Sequence, residues 1–190
     1  MRVITGSARG RRLRTLEGMD VRPTTDKVKE AIFSAIQFQL PGAQVLDLFA
    51  GSGQLGIEAL SRGAAHGVFV DQSSRSIAVV RENLETTGFI DVSAVVLKSQ
   101  MDFLRTTDQR FDIAFLDPPY GKGILEETLP VLSEYMNPGG IVICEMETEL
   151  NLPEKIGHLD LKKTYKYGKI KVVMWKSLRN RFNQIGIRYS

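Results

Sequence analysis

Cysteine and histidine are almost missing from this chain: Cys144 is the one cysteine, and His66 and His158 are the two histidines. A single thiol closes no internal disulfide, which excludes a disulfide-stapled secreted scaffold. One cysteine and two distant histidines also build no metal cluster of familiar spacing, so no metal is expected. Cys144 lies in the apolar run Ile141-Val142-Ile143-Cys144, the setting of a buried strand residue and not of a nucleophile. The histidines are read as surface positions, His66 in a connecting loop and His158 ahead of a strand. No apolar run reaches the roughly eighteen residues of a membrane span, and the amino terminus is not signal-like; the expected compartment is the cytoplasm, with no membrane partner. Acidic residues are wholly absent from positions 162–190.

What is present is an ordinary globular composition, 43% hydrophobic and 25% charged over 190 residues and 21.2 kDa. That length buries a sizeable core in one main domain. The charge is unevenly placed. Residues 1–30 carry eight Lys/Arg against four Asp/Glu, residues 162–190 carry nine Lys/Arg, and the acidic middle brings the net to +3. Basic ends suit a polyanion gripped from both sides, and they also suit a plain solvated surface.

The chain opens with short apolar pieces split by Gly6-Ser7-Ala8-Arg9-Gly10, which predicts a small basic β-hairpin. After Arg22-Pro23-Thr24-Thr25-Asp26, apolar residues at helical spacing predict an amphipathic helix from Asp26 to about Phe38. Strands and helices then alternate. Strands are expected at 44–49, 67–70, 93–97, 111–116 and 141–145, with helices at 55–62, 74–87, 101–106 and 124–135 between them. This is the pattern of an α/β fold with a doubly wound, mostly parallel sheet. Runs at 159–167 and 170–175, joined at Tyr167-Gly168-Lys169, are too close for a helical crossover and predict an antiparallel hairpin at the sheet end. The expected organisation is a basic hairpin and helix over 1–40, a catalytic core over 41–177 and a basic tail over 178–190, the last read as mobile or as a further RNA contact through Arg179, Arg181 and Arg188.

Two loops carry the chemistry, each after an apolar strand. Gly51-Ser52-Gly53-Gln54-Leu55-Gly56 fits G-x-G-x-x-G, and Asp71 lies twenty residues beyond Gly51, where an acid for ribose hydroxyls is expected. A nicotinamide site has the same outline. Asp47, at the preceding strand end, instead suits the cationic amino group of S-adenosylmethionine and would repel a pyrophosphate. The second loop, Asp117-Pro118-Pro119-Tyr120, offers a carboxylate and the Pro118 carbonyl as acceptors for the two N–H groups of a planar exocyclic amine, with Pro119 stiffening the loop and Tyr120 as a stacking face. These four residues leave the amine open: guanine N2 or adenine N6. A non-catalytic RNA-binding factor that keeps the fold is the reading from a different class.

The chain resembles the RsmD family, the bacterial 16S rRNA guanine-N2 methyltransferases. The resemblance rests on Met1 to Gly6, Arg9-Gly10-Arg11, Arg22 to Asp26, Asp47 to Gly53, Gly56 to Ala64, Phe115 to Tyr120 and Tyr167-Gly168-Lys169, and spans about residues 1–176. It implies a Rossmann-like class I methyltransferase sheet of seven strands, S-adenosylmethionine as donor, and the guanine conventionally numbered 966 as target. A monomer acting on 16S rRNA or the small ribosomal subunit is expected. Carried onto this sequence, the cofactor residues are Asp47, Phe49, Ala50, Gly51, Gly53, Asp71, Gln72, Ser99, Gln100 and Asp117. The RNA residues are Arg9, Arg11, Arg12, Arg22, Thr24, Lys166 and Lys169. One place departs from the family: Lys98-Ser99-Gln100 stands where Gly-Asp-Ala is usual, so a neutral hydrogen bond replaces the acid expected near the adenine amine.

Overall fold

The computed structural model describes residues 1–16, 26–121 and 123–178. Arg22, Thr24 and the tail arginines lie outside the described residues. The elements in order are α1 (Asp26–Ala35), β1 (Gln44–Asp47), α2 (Gln54–Ser61), β2 (His66–Asp71), α3 (Ser74–Thr87), β3 (Ser93–Leu97), α4 (Gln100–Thr106), β4 (Phe111–Leu116), α5 (Ile124–Leu132), β5 (Met136–Glu147), β6 (Lys155–Ile156), β7 (Leu159–Tyr167) and β8 (Ile170–Ser177). They build one eight-stranded sheet in the order β3-β2-β1-β4-β5-β8-β7-β6. The first five pair in parallel, and β8, β7 and β6 are antiparallel.

The expected doubly wound sheet with a terminal hairpin is the fold observed. An eighth strand, the two-residue β6, adds an edge to the seven; it pairs Ile156 with Leu159 across a turn in which Gly157 takes φ 56°. The basic amino-terminal hairpin is small, an antiparallel bridge between Arg2 and Arg12 flanked by backbone bonds from Val3 N–H to the Arg11 carbonyl and from Leu13 N–H to the Met1 carbonyl, with Gly6 and Gly10 turning at positive φ. The first helix stops at Ala35, short of Phe38, and His66 begins β2 instead of sitting in a loop. β5 starts five residues earlier than expected because Asn137-Pro138-Gly139-Gly140 is absorbed as an irregularity, the register stepping from Phe111↔Met136 to Ile113↔Ile141.

Alternation along the strands divides the core in two. Val45, Phe69, Ile113, Phe115 and Ile143 face the side covered by α1, α2 and α3, where Val3, Ala8 and Leu13 of the first segment also pack. Leu46, Val68, Val70, Ala114, Leu116 and Cys144 face α4, α5 and Trp175. Burial raises the Cys144 thiol well above its usual range, so it is an inert packing residue as the sequence suggested. Trp175 is also buried, its indole N–H directed to the Pro153 carbonyl at 3.4 Å.

The sheet order places the site. The chain winds outward from β1 through β2 to β3, then crosses back to β4 beside β1. At such a reversal two loops leave the carboxyl edge in opposite directions and open a crevice, the usual position of a ligand in these sheets. Here those loops are the glycine loop and Asp117-Pro118-Pro119-Tyr120.

Candidate active site

A cavity of about 640 Å³ occupies the crevice and is lined by both loops. From the cofactor set it takes Asp47, Phe49, Ala50, Gly51, Asp71, Gln72, Gln100 and Asp117, and from the D-P-P-Y loop Pro118, Pro119 and Tyr120. Gly53 and Ser99 are not on its wall.

The three glycines serve three purposes. Gly51 turns at φ 54°, and a Cβ there would meet nothing, so the residue opens the wall to a ligand. Gly53 is the left-handed cap before α2, at φ 78°. Gly56 allows α2 to lie against the sheet: a Cβ would fall 2.4 Å from the Phe69 ring and 3.2 Å from Asp47 Oδ2. The Gly56 N–H donates to that Asp47 oxygen at 3.0 Å. Burial nevertheless pushes the Asp47 carboxyl up to about 7, the Gly56 bond offsetting only part of the effect and Asp71 adding to it.

Asp71 does more than the sequence implied. Its Oδ2 accepts the Gly51 N–H at 2.9 Å and its Oδ1 the Ser73 N–H at 2.8 Å, so it ties the glycine loop to the end of β2. Each carboxylate oxygen retains a further lone pair for a hydroxyl donor. Ser99 is the N-cap of α4: its hydroxyl accepts the Asp102 N–H at 3.1 Å and donates to Asp102 Oδ2 at 2.7 Å. Lys98 and Gln100, on either side of it, line the cavity.

Asp117 leaves β4 half-buried, and among the described residues no hydrogen bond reaches its carboxylate. Burial pushes it up to about 8, with Glu145 and then Asp47 adding like-charge repulsion. Tyr120 is 41% exposed, and its hydroxyl donates to Glu145 Oε1 at 3.4 Å. Burial and the neighbouring carboxylates raise the phenol above its ordinary range, so it stays protonated.

Of the basic residues, those of the first segment sit on an arm whose turn at Ser7 and Ala8 is bonded to Ser61 at the far end of α2. Arg9, Arg11 and Arg12 are exposed on the first segment, whose Met1, Thr15 and Leu16 reach the cavity wall. Lys166 and Lys169 are exposed at the β7–β8 turn, which the Thr148 N–H joins to the end of β5 through the Lys169 carbonyl.

Several residues escaped the sequence reading. Glu58, fully buried on α2, accepts the Ile4 and Thr5 N–H groups at 2.8 and 3.0 Å and pairs with Arg62 and the buried Lys29. Desolvation lowers the Lys29 pKa, and Glu58 counters it. Asn83 on α3 donates to the carbonyls of Ser52 and Arg14 and accepts the Arg14 N–H, linking the first segment to the glycine loop. These polar groups interrupt helical faces at positions that periodicity alone reads as surface, which is why they were passed over.

The model for the family described as "Conserved hypothetical protein 95" matches residues 1–176. The chain belongs to the RsmD family of methyltransferases. It is 41% identical to YlbH of Bacillus subtilis over 93% of this chain and 98% of that one. It is 37% identical to the ribosomal RNA small subunit methyltransferase D of Escherichia coli K12 over 80% of this chain and 78% of that one. The solved structure of yhhF from Escherichia coli superposes with a TM-score of 0.84 at 34% identity, covering 93% of this chain and 97% of the other. An RNA methyltransferase from Salinibacter ruber in complex with S-adenosyl-L-homocysteine shares the fold alone, with a TM-score of 0.64 at 17% identity and coverage of 83% and 95%.

The residues present fit S-adenosylmethionine. Gly51 leaves room for close approach, Asp71 offers acceptors for ribose hydroxyls, and Asp47 stands as an acid for an ammonium group.

Proposed function

We propose that this protein transfers a methyl group from S-adenosylmethionine to the N2 amine of a guanine in small-subunit rRNA. The observation that carries the reading is the placement of Asp117 on the cavity wall with no hydrogen bond to its carboxylate among the described residues, beside Asp47 and opposite the glycine loop. When bound, S-adenosylmethionine supplies an electrophilic methyl carbon on a sulfonium, and transfer forms the nitrogen–carbon bond as the sulfur–carbon bond breaks. Asp117 accepts one N–H of the amine and the Pro118 carbonyl the other, which turns the nitrogen lone pair toward the methyl. The proton shed by the nitrogen passes to the Asp117 carboxylate. Tyr120 stacks on a base taken out of its surroundings, a contact worth about 1–3 kcal/mol.

Burial and the neighbouring carboxylates push the Asp117 carboxyl up to about 8, toward its protonated form. A cation in the crevice favours the ionised forms of Asp47 and Asp117, so donor binding itself prepares the acceptor. RNA is the carrier of the amine in this reading because the 37%-identical Escherichia coli relative is named for the small-subunit RNA and because arginines of the first segment and lysines of the β7–β8 turn are exposed. The monomer and the cytoplasmic setting belong to the same proposal.

The test is to incubate the protein with labelled donor and small-subunit RNA or particles from cells lacking the activity, then to identify the modified nucleoside. N2-methylguanosine is the expected product. N6-methyladenosine would move the target to adenine, and RNA binding without incorporation would show a non-catalytic factor.

A further inference from the structure

The D-P-P-Y loop borders two cavities. Beyond the large one lies a second, of about 260 Å³, on the β5 side, lined by Pro118, Pro119 and Tyr120 together with Glu145 and Glu147 from β5. Glu145 is only 5% exposed. β4 and β5 run in parallel register with Leu116 opposite Cys144, so Asp117, the first residue beyond β4, stands beside Glu145, which is still within β5 and pairs with Val172 of β8. Two carboxylates thus stand side by side at the D-P-P-Y loop, Asp117 on the wall of the large cavity and Glu145 on that of the second, with Tyr120 bordering both.

The edges of guanine and adenine differ at the atom beside the amine. Guanine carries N1–H next to its N2 amine, a row of donors, whereas adenine carries an N1 lone pair next to its N6 amine. Asp117 serves the amine of either base. A second carboxylate accepts N1–H of guanine and repels N1 of adenine.

We propose that Glu145 is the specificity-determining residue of this site, accepting N1–H of the target guanine and excluding adenine; the inference rests on the guanine-N2 reading above. Tyr120 lies beside it, its hydroxyl donating to Glu145 Oε1 at 3.4 Å, so stacking and base reading are two neighbouring effects. The two effects separate by mutation. Glu145→Gln replaces an acceptor with a group that can donate to adenine N1, whereas Tyr120→Phe removes the hydroxyl and keeps the ring.

The experiment uses one small-subunit RNA with either guanine or adenine at the target position, and reads product nucleoside and kcat/KM. Calorimetry with S-adenosylhomocysteine checks that each variant retains its fold and donor site. Wild type is expected to form N2-methylguanosine. Glu145→Gln is expected to lose about tenfold to a hundredfold on guanine, the range of one base-edge contact, and to gain on adenine. Tyr120→Phe is expected to lose rate while keeping the preference for guanine. If wild type forms N2-methylguanosine and Glu145→Gln keeps the full preference with intact donor binding, the role of Glu145 is overturned and the guanine-N2 reading stands. A Tyr120→Phe variant that loses the preference as Glu145→Gln does would assign the preference to the Tyr120 hydroxyl and overturn base reading by Glu145. A wild type that methylates adenine N6 overturns both.

Discussion

The glycine loop and the D-P-P-Y loop leave neighbouring parallel strands at one edge, yet they are held in opposite ways. Backbone N–H groups of the first are tied to side chains: Gly51 to Asp71, Gly56 to Asp47, with the Ser52 carbonyl bound by Asn83. The second takes its shape from two prolines and apolar burial, and the carboxylate of Asp117 is left to the cavity. A carboxylate bound by loop amides builds a surface for a ligand. One that is buried without such donors is held near neutrality, where a positive ligand or an amine can change its state.

The largest effect of this contrast falls on the D-P-P-Y loop. Asp117→Ala should reduce transfer by about 10²–10³-fold or more while RNA affinity in filter binding stays unchanged; near-normal turnover would remove Asp117 from the reaction. Asp47→Asn comes next. It should weaken donor binding by about tenfold to a hundredfold in calorimetry, the worth of a hydrogen bond to a charged group, with the fold intact.

Within the glycine loop, two alanines should part company. Gly56→Ala puts a methyl 2.4 Å from the Phe69 ring and should cost about 1–3 kcal/mol of stability. Gly51→Ala meets open space and carries only the left-handed backbone penalty of about 1–2 kcal/mol, but its methyl points toward the ligand's approach. Thermal melts and donor titration together should show the first acting mainly on melting temperature and the second more on binding.

The smallest effect is on pH dependence. Asp47 at about 7 and Asp117 at about 8 both lie above the ordinary carboxyl value of 3.8, so in the folded state they hold protons that the unfolded chain has released. Their contribution to stability is complete below about pH 4 and is lost as pH rises through 7 to 8. The empty protein should therefore lose melting temperature across that window, and Asp117→Asn should flatten the fall. Donor affinity should run the other way, tightening as pH rises from 6 to 8, because the donor's cation favours the ionised pair.

Much of this site was legible before the fold was known, since its parts are local. Gly51, Asp71 and Asp117 could be picked out because a glycine turn, an acid at the second strand end and a proline-stiffened loop each have a short sequence form. At Ser99 the structure adds what alignment with a cofactor acid does not carry: its hydroxyl caps α4, because a serine three residues ahead of Asp102 satisfies a helix end. Glu145 and Asn83 had no local form at all. Their partners lie 25 and 31 residues away in Tyr120 and Ser52, and only chain packing brings them together.

The sequence by itself determined the alternation of strands and helices, the two loops and their donor and acceptor types, because these follow from periodicity and from what glycine and proline allow. Only the tertiary structure decided that β4 returns beside β1 and that β5 lies next to β4. Strand neighbours are chosen by long-range pairing and burial of both sheet faces, which no short stretch encodes. That pairing sets Asp47 near Asp117 and Asp117 beside Glu145, and so brings three acids that are far apart in sequence close together.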